Sequence, residues 1–240
     1  MVKIRTLMEN LSSEHKSLIA EHGLSFYIET EKVKILFDFG AGANTWENAG
    51  KLNIPLDEIS YFVFSHSHYD HAAGFIPLAE QGYQKIVIHG SEFFQEKYAV
   101  GENKYTYLGC GFTEAYLKQH SREEIVCEGT CQIDDNIHII GRFDRTHDFE
   151  QVPARFVKDT GDGMVHDQFD DEICLAIDTP EGLVVIVGCS HPGIMNMLST
   201  VKNRLNRPIR AVIGGTHLVE ASEERVKKSI EEMKSMGIVL

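Results

Sequence analysis

Ser65-His66-Ser67-His68-Tyr69-Asp70-His71 is the stretch on which the reading of this sequence turns. It places four metal-ligand side chains, His66, His68, Asp70 and His71, within six positions. Residues 61–64 just before it are apolar and read as a buried strand, so the polar segment begins where the chain leaves a sheet. In an extended segment, side chains two apart project to the same side, and His66 with His68 can grip one metal together. A turn after Tyr69 lets Asp70 and His71 face a second metal beside the first. Imidazoles and carboxylates packed this closely compete for protons unless a cation organises them. The rival reading is four polar loop residues with no shared role.

Working outward, short strands are expected at residues 2–7, 24–29 and 33–37, with Glu31-Lys32 as a hairpin turn between the last two. After the polar segment a helix is expected over 72–81 with Gly82 as its stop, then a strand over 85–89 and a short helix over 92–98. Residues 100–165 mix Gly, Asp, His and aromatics without a clear period and read as an irregular functional cover. Order returns with strands at 172–178, 183–187 and 209–213, helices at 195–205 and 222–236, and the start of one more strand at 238–240. Strand pairs early and β-α-β alternation at both ends predict one layered α/β domain over residues 1–240, an αββα sandwich.

Composition bounds the function classes. The 240 residues carry 36 acids against 23 Lys and Arg, a net charge of −13. That balance argues against a chain built to grip nucleic acid, although a local cation can still take a small anionic substrate. The five cysteines show no CxxC pair and read as reduced thiols of a cytoplasmic protein. No secretory leader is evident, and no apolar run approaches the roughly 18 residues of a membrane span. The expected partner is a small-molecule substrate, without nucleic acid or membrane, and self-association into a homo-oligomer is left open.

With its strand-end HxHxDH segment the sequence resembles the metallo-β-lactamase superfamily. More narrowly it resembles the branch of metal-dependent hydrolases related to 7,8-dihydropterin-6-methyl-4-(β-D-ribofuranosyl)-aminobenzene-5'-phosphate synthase. His22-Gly23-Leu24-Ser25 is similar to that branch's opening, Leu36-Phe37-Asp38-Phe39-Gly40 to its "LFDxG", and Asn48-Ala49 to the helix that follows. Gly188-Cys189-Ser190-His191-Pro192-Gly193-Ile194 is similar to its "GCSHxGI", and Gly214-Gly215-Thr216-His217-Leu218 to its "GGxHL". Gly141, Arg145, Phe149 and Glu150 partly match a mid-chain "GEIPRxxxFE", with Arg142 and Asp144 departing from it. The branch also implies a further strand ending in "HCTG", which would begin where this sequence ends at Leu240. The expected sandwich therefore lacks its final strand.

The resemblance implies a metal-dependent hydrolase in which a metal-activated water attacks an ester, amide or phosphoester. His66, His68 and His191 would hold one divalent ion, Asp70 and His71 the other, and Asp70 would also orient the water or take its proton. His217 is expected as a further ligand or substrate contact. Cys189 is either a ligand or a packed thiol, and His89 lines the pocket or hydrogen-bonds a ligand. Arg145 and Glu150 are the candidates for binding substrate. Two divalent ions are expected; zinc suits the donor set, and manganese and iron remain alternatives. Asp170-Asp171-Glu172 read as solvated turn acids, and His15 and His22 as surface or capping residues. Two other functions compete: a synthase condensing a dihydropterin with a ribofuranosylaminobenzene phosphate, and a non-catalytic metal-binding domain.

Overall fold

The computed structural model describes residues 2–12, 17–102 and 104–238. His15, and Val239 and Leu240 of the expected last strand, lie outside the described residues.

The chain opens with β1 (Lys3–Met8), β2 (Ser25–Glu29) and β3 (Lys34–Phe37), successive antiparallel neighbours. Helix α1 (Asn44–Lys51) then crosses over to β4 (Tyr61–Val63), which pairs with β3 in parallel. Helices α2 (Tyr69–Ala72) and α3 (Phe75–Ala79) lead to β5 (Ile86–Gly90), parallel to β4. The single helix expected over 72–81 is thus two short ones that begin earlier, at Tyr69. Gly74 marks the break between them: its amide donates to the Gly40 carbonyl, and a Cβ there would lie 2.0 Å from the Phe39 carbonyl oxygen.

The middle of the chain departs most from expectation. Residues 92–98 do not form a helix; β6 (Glu96–Val100) and β7 (Tyr105–Tyr107) form a hairpin instead. Helix α4 (Glu114–His120) and β8 (Glu123–Cys127) follow, the strand adding to β5 in parallel. Next come β9 (Thr130–Asp134), β10 (Ile137–Gly141), β11 (Phe156–Asp159) and β12 (Met164–His166). Strands β12, β11, β6 and β7 make a small separate sheet. Its outer strands are exposed at every position, so they bury too little on either face to show the alternation that marks a strand in sequence.

The last third follows the sequence closely: β13 (Ile173–Thr179), β14 (Gly182–Val187), α5 (Ile194–Leu205), β15 (Ile209–Gly214) and α6 (Glu223–Ser235). The Ser222 side chain accepts from the Arg225 amide and caps α6.

Two larger sheets result, one ordered β1-β2-β3-β4-β5-β8 and the other β15-β14-β13-β10-β9. Their period-2 side chains sort into three apolar layers. Ile35, Phe37, Val63 and Ile88 meet Ile139, Ile173, Leu175 and Ile177 between the sheets. Leu36, Phe62 and Phe64 face outward onto Trp46, Phe75 and Leu117 of the first helical layer. Cys174, Ala176 and Val185 face Met195, Leu198 and Met233 of the second. This is the αββα arrangement, and among the described residues no helix is long and apolar enough to cross a membrane.

Candidate metal centre

Four strands deliver their carboxyl ends to one rim of the sandwich: β3 ends before Asp38, β4 before Ser65, β14 before Cys189 and β15 before His217. Ligands in α/β sheets bind at such carboxyl edges. The loop between β4 and α2 is fixed there by its own backbone. The Ser65 carbonyl accepts from Ile173, the Asp70 carbonyl from Leu24 and the His71 carbonyl from Phe39, while the Tyr69 amide donates to Leu108.

The result is a close cluster of imidazoles. Ring centroids lie 4.8 Å apart for His66 and His68, 5.0 Å for His66 and His191, and 4.8 Å for His68 and His191. One ligand atom from each of these three falls within 4.8 Å of the others. Nε2 of His66, Nε2 of His68 and both ring nitrogens of His191 are buried without a hydrogen-bond partner. A buried polar group left unpaired costs about 1–3 kcal/mol, so three such rings facing one point fit a cation that three neutral imidazoles would ligate. Burial pushes all three well below the usual histidine range, and the neighbouring imidazoles and Lys97 add to the effect. They are therefore neutral, the state a metal ligand requires.

A second group adjoins the first. His66, His71 and Cys189 also bring ligand atoms within 4.8 Å of one another. His71 Nε2 lies 3.0 Å from the Cys189 thiol and 3.5 Å from Asp70 Oδ2. The same Asp70 oxygen lies 3.3 Å from Nε2 of His22, on the rim. Burial alone would lower the value of His71, but the Cys189 sulfur, Asp38 and Asp70 hold it well above the ordinary range. Burial raises the Cys189 thiol.

Asp38 organises both groups. Fully buried and in the left-handed region at φ 59°, it accepts His71 Nδ1 on Oδ2 at 2.6 Å. The Ser65 amide donates to Oδ1 at 2.7 Å and the Ser65 hydroxyl to Oδ2 at 2.7 Å. With its proton so committed, the Ser65 oxygen accepts from Nδ1 of His66, 2.9 Å away. One carboxylate thereby keeps a proton on Nδ1 of both rings and turns each Nε2 outward, where loss of the Nε2 proton of His71 would leave a ligand lone pair. Gly188 makes room for this, since a Cβ there would meet the Ser65 hydroxyl at 2.1 Å.

A second tier of buried charges stands behind. Asp171 accepts the Ser67 amide and pairs at 2.6 Å with Lys97, a lysine that is itself only 2% exposed and also contacts Asp167. Lys97 lies 4.2 Å over the Phe169 ring, which stacks on His191 at 3.9 Å. Glu172 accepts the amides of Ser190 and His191 at 2.6 and 2.9 Å, and burial pushes its carboxyl up to about 8. Asp171 and Glu172 are thus buried braces for the ligand loops, not the solvated turn acids expected from sequence.

Other expectations resolve differently. His217 packs its ring 4.3 Å from that of His191 and lines the cleft, but belongs to neither group of converging ligand atoms. His89 engages the Gly90 carbonyl and Glu124, so both ring nitrogens are committed away from the cluster. Glu150 is not a substrate residue: its carboxylate accepts the Met195 and Asn196 amides at 2.9 and 2.7 Å and caps α5. Arg145 is likewise spent, donating to the Pro192 carbonyl at 2.5 Å and to the Gln168 carbonyl. Asp38, Lys97 and Arg155, by contrast, were not singled out by sequence reasoning. For Asp38 a signal existed in its place at the end of an apolar strand before Gly40; for Lys97 and Arg155 there was none.

The cleft above the cluster measures about 450 Å³ and is lined by His22, His68, Asp70, Cys189, His191 and His217 among others. A layered αββα fold with converging imidazoles and carboxylates at one strand edge defines a metallohydrolase scaffold. The chain belongs to the metallo-β-lactamase superfamily, whose family model matches residues 18–191. It is 30% identical to the 7,8-dihydropterin-6-methyl-4-(beta-D-ribofuranosyl)-aminobenzene-5'-phosphate synthase of Methanocaldococcus jannaschii, over 99% of this chain and 84% of that protein. An uncharacterised protein of the same archaeon is 31% identical over 97% of this chain and 86% of its own length. The crystal structure of a metal-dependent hydrolase of the β-lactamase superfamily superposes with a TM-score of 0.85 at 30% identity, covering 99% of this chain and 85% of that one.

Proposed function

We propose that the cleft is the active site of a two-ion hydrolase acting on an ester, amide or phosphoester bond of a small molecule. The observation that carries this reading is the set of buried imidazole nitrogens without partners on His66, His68 and His191. These three rings hold the deeper ion. His71 and Cys189, which converge with His66, would hold the second, with Asp70 and His22 beside them at the rim. Asp70 Oδ2 stands 3.3 Å from His22 Nε2 and 3.5 Å from His71 Nε2, so these donor atoms are close enough to be shared by one ion. Zinc suits this mixture of nitrogen, carboxylate and sulfur donors. Divalent ions bound there supply a Lewis acid and bring the pKa of water toward neutrality.

The chain's own residues do the rest. Asp70 turns Oδ2 toward His22 and His71, so Oδ1 is the oxygen placed to orient the attacking water and take up its proton. His217, kept neutral because burial lowers its value, stands on the cleft wall as a hydrogen-bond partner for the leaving group. Phe156 and Leu108 add apolar surface to the cleft lining, Phe156 packing beside His217. Turnover of chromogenic esters, anilides and phosphodiesters by metal-loaded protein tests the reading. Hydrolysis that vanishes on metal removal and in His68→Ala is expected; hydrolysis persisting in metal-free protein overturns it.

The identity to the M. jannaschii synthase favours a second reading, condensation of a dihydropterin with a ribofuranosylaminobenzene phosphate at the same centre. Incubating both substrates with metal-loaded protein decides it, because the product's absorbance either develops or does not.

A further inference from the structure

One cation on the cleft wall is left unused by the chemistry above. Arg155 lines the cleft and is the one Lys or Arg to do so among the described lining residues. Its guanidinium lies 4.1 Å over the Phe156 ring, and that ring packs 5.8 Å from His68, 5.3 Å from His191 and 5.9 Å from His217. A single aromatic ring therefore separates the guanidinium from the imidazole cluster. The fork of Arg155 is filled by Glu220: Nε donates to Oε2 at 3.2 Å and Nη2 to Oε1 at 2.5 Å. This is the two-point geometry with which arginine binds a carboxylate or phosphate.

The partner is an exchangeable one. Glu220 lies between β15 and α6, beside Val219, whose side chain is 91% exposed. Arg155 and Glu220 are 39% and 41% exposed, and ion pairs so open to water hold weakly. Nearby arginines differ in this respect. Arg145 is committed to the carbonyls of Pro192 and Gln168, and Arg225 to that of Gln151; neither can be released by an incoming anion. In a chain of net charge −13, a cation kept at the mouth of the cleft is also what an anionic substrate would need to enter.

We infer that the substrate carries an oxyanion, phosphate or carboxylate, which Arg155 grips in two-point fashion, and that Glu220 holds that place until the substrate displaces it. This rests on the hydrolase reading for the location of the reacting bond, and it adds the substrate class and a specificity-determining residue.

Calorimetry on metal-loaded protein with phenylphosphonate and with benzoate tests it, metal content being measured on every sample. Arg155→Gln is expected to weaken binding of one or both probes by about 10-fold or more, and Arg155→Lys to restore it only in part, because the fork is lost. Glu220→Gln is expected to tighten binding several-fold by removing the competitor. A loss confined to phenylphosphonate assigns the fork to phosphate esters, and one confined to benzoate assigns it to carboxylates. Equal affinities in metal-replete wild type, Arg155→Gln and Glu220→Gln would overturn the inference while leaving the hydrolase reading in place. A wild type that takes up no metal would instead sink the hydrolase reading.

Discussion

The two groups of ligand-type side chains share one rim of the sandwich, yet they are finished in opposite ways. His66, His68 and His191 present buried nitrogens with no partner, pointing at one another. Asp70, His71 and Cys189 already satisfy each other through contacts of 3.0 and 3.5 Å, and His22 joins them from a largely exposed position. In the first group the facing nitrogens find no partner among the protein's own described atoms, and an added cation can take one lone pair from each ring. In the second an ion must displace a proton network that is already paired, and it does so at an edge open to solvent. The comparison teaches that ligand count does not set affinity: the deep site, with fewer candidate ligands, should fill first and hold its ion longer.

The largest effect that would break this comparison comes from removing a deep ligand. His68→Ala is expected to lose the deep ion and to lower kcat/KM by about 10³-fold or more, since the acidified water is lost with it. Metal analysis alongside kinetics checks this. His22→Ala, by contrast, should leave the deep ion bound. Next in size is Asp38→Asn, which touches no ion yet sets the tautomers of His66 and His71. Metal affinity should fall by about 10–100-fold, read by competition with a chromogenic chelator, and both sites should weaken together.

A pH series on metal-free protein sharpens the contrast further. The three deep histidines have lowered values, so below pH 6.5 the unfolded chain binds protons that the folded chain refuses. Stability is therefore lost as pH falls through that range. His71 and Glu172 have raised values, so their contribution is present at low pH and is lost as pH rises, for Glu172 between about 4.5 and 8. Asp171, also raised by burial, works in the same direction as Glu172. On the acid side the lowered imidazoles, His217 included, are set against the raised carboxyls of Glu150, Asp171 and Glu172. With the three deep rings well below the ordinary range the imidazoles prevail, which predicts a maximum in Tm near neutrality. His191→Gln should flatten the acid limb, as thermal scans from pH 5 to 8 would show. The smallest effect is expected at Glu150→Gln. It weakens the cap of α5 by about 0.5–2 kcal/mol, seen as a lower Tm, with metal content unchanged.

The sequence displayed the local half of this site. His66, His68, Asp70 and His71 sit within six positions, and a strand before them places them at an edge; no tertiary information is needed to group them. What was hidden depends on chain crossings. Asp38 reaches His71 across 33 positions, Lys97 reaches Asp171 across 74, and Glu150 caps a helix 45 residues away. No period in sequence reports such contacts. The middle of the chain was hidden for a different reason. Its small sheet is half exposed, so Glu96–Val100 shows no alternation, and Phe93, Phe94 and Lys97 mimic helical spacing. In fact Phe93 enters the first core layer while Lys97 turns toward Asp167 and Asp171. Where both faces are buried, as in Ile173–Thr179 and Gly182–Val187, the strands were plain.

The central claim, that His66, His68 and His191 form the primary ion site, is tested most directly by X-ray absorption on protein holding a single equivalent of zinc. The predicted spectrum contains a shell of imidazole and oxygen scatterers with no sulfur, sulfur from Cys189 entering only as the second equivalent binds. A sulfur shell at the first equivalent would contradict the account, because it would place the first ion between His71 and Cys189 and leave the buried imidazoles unfilled.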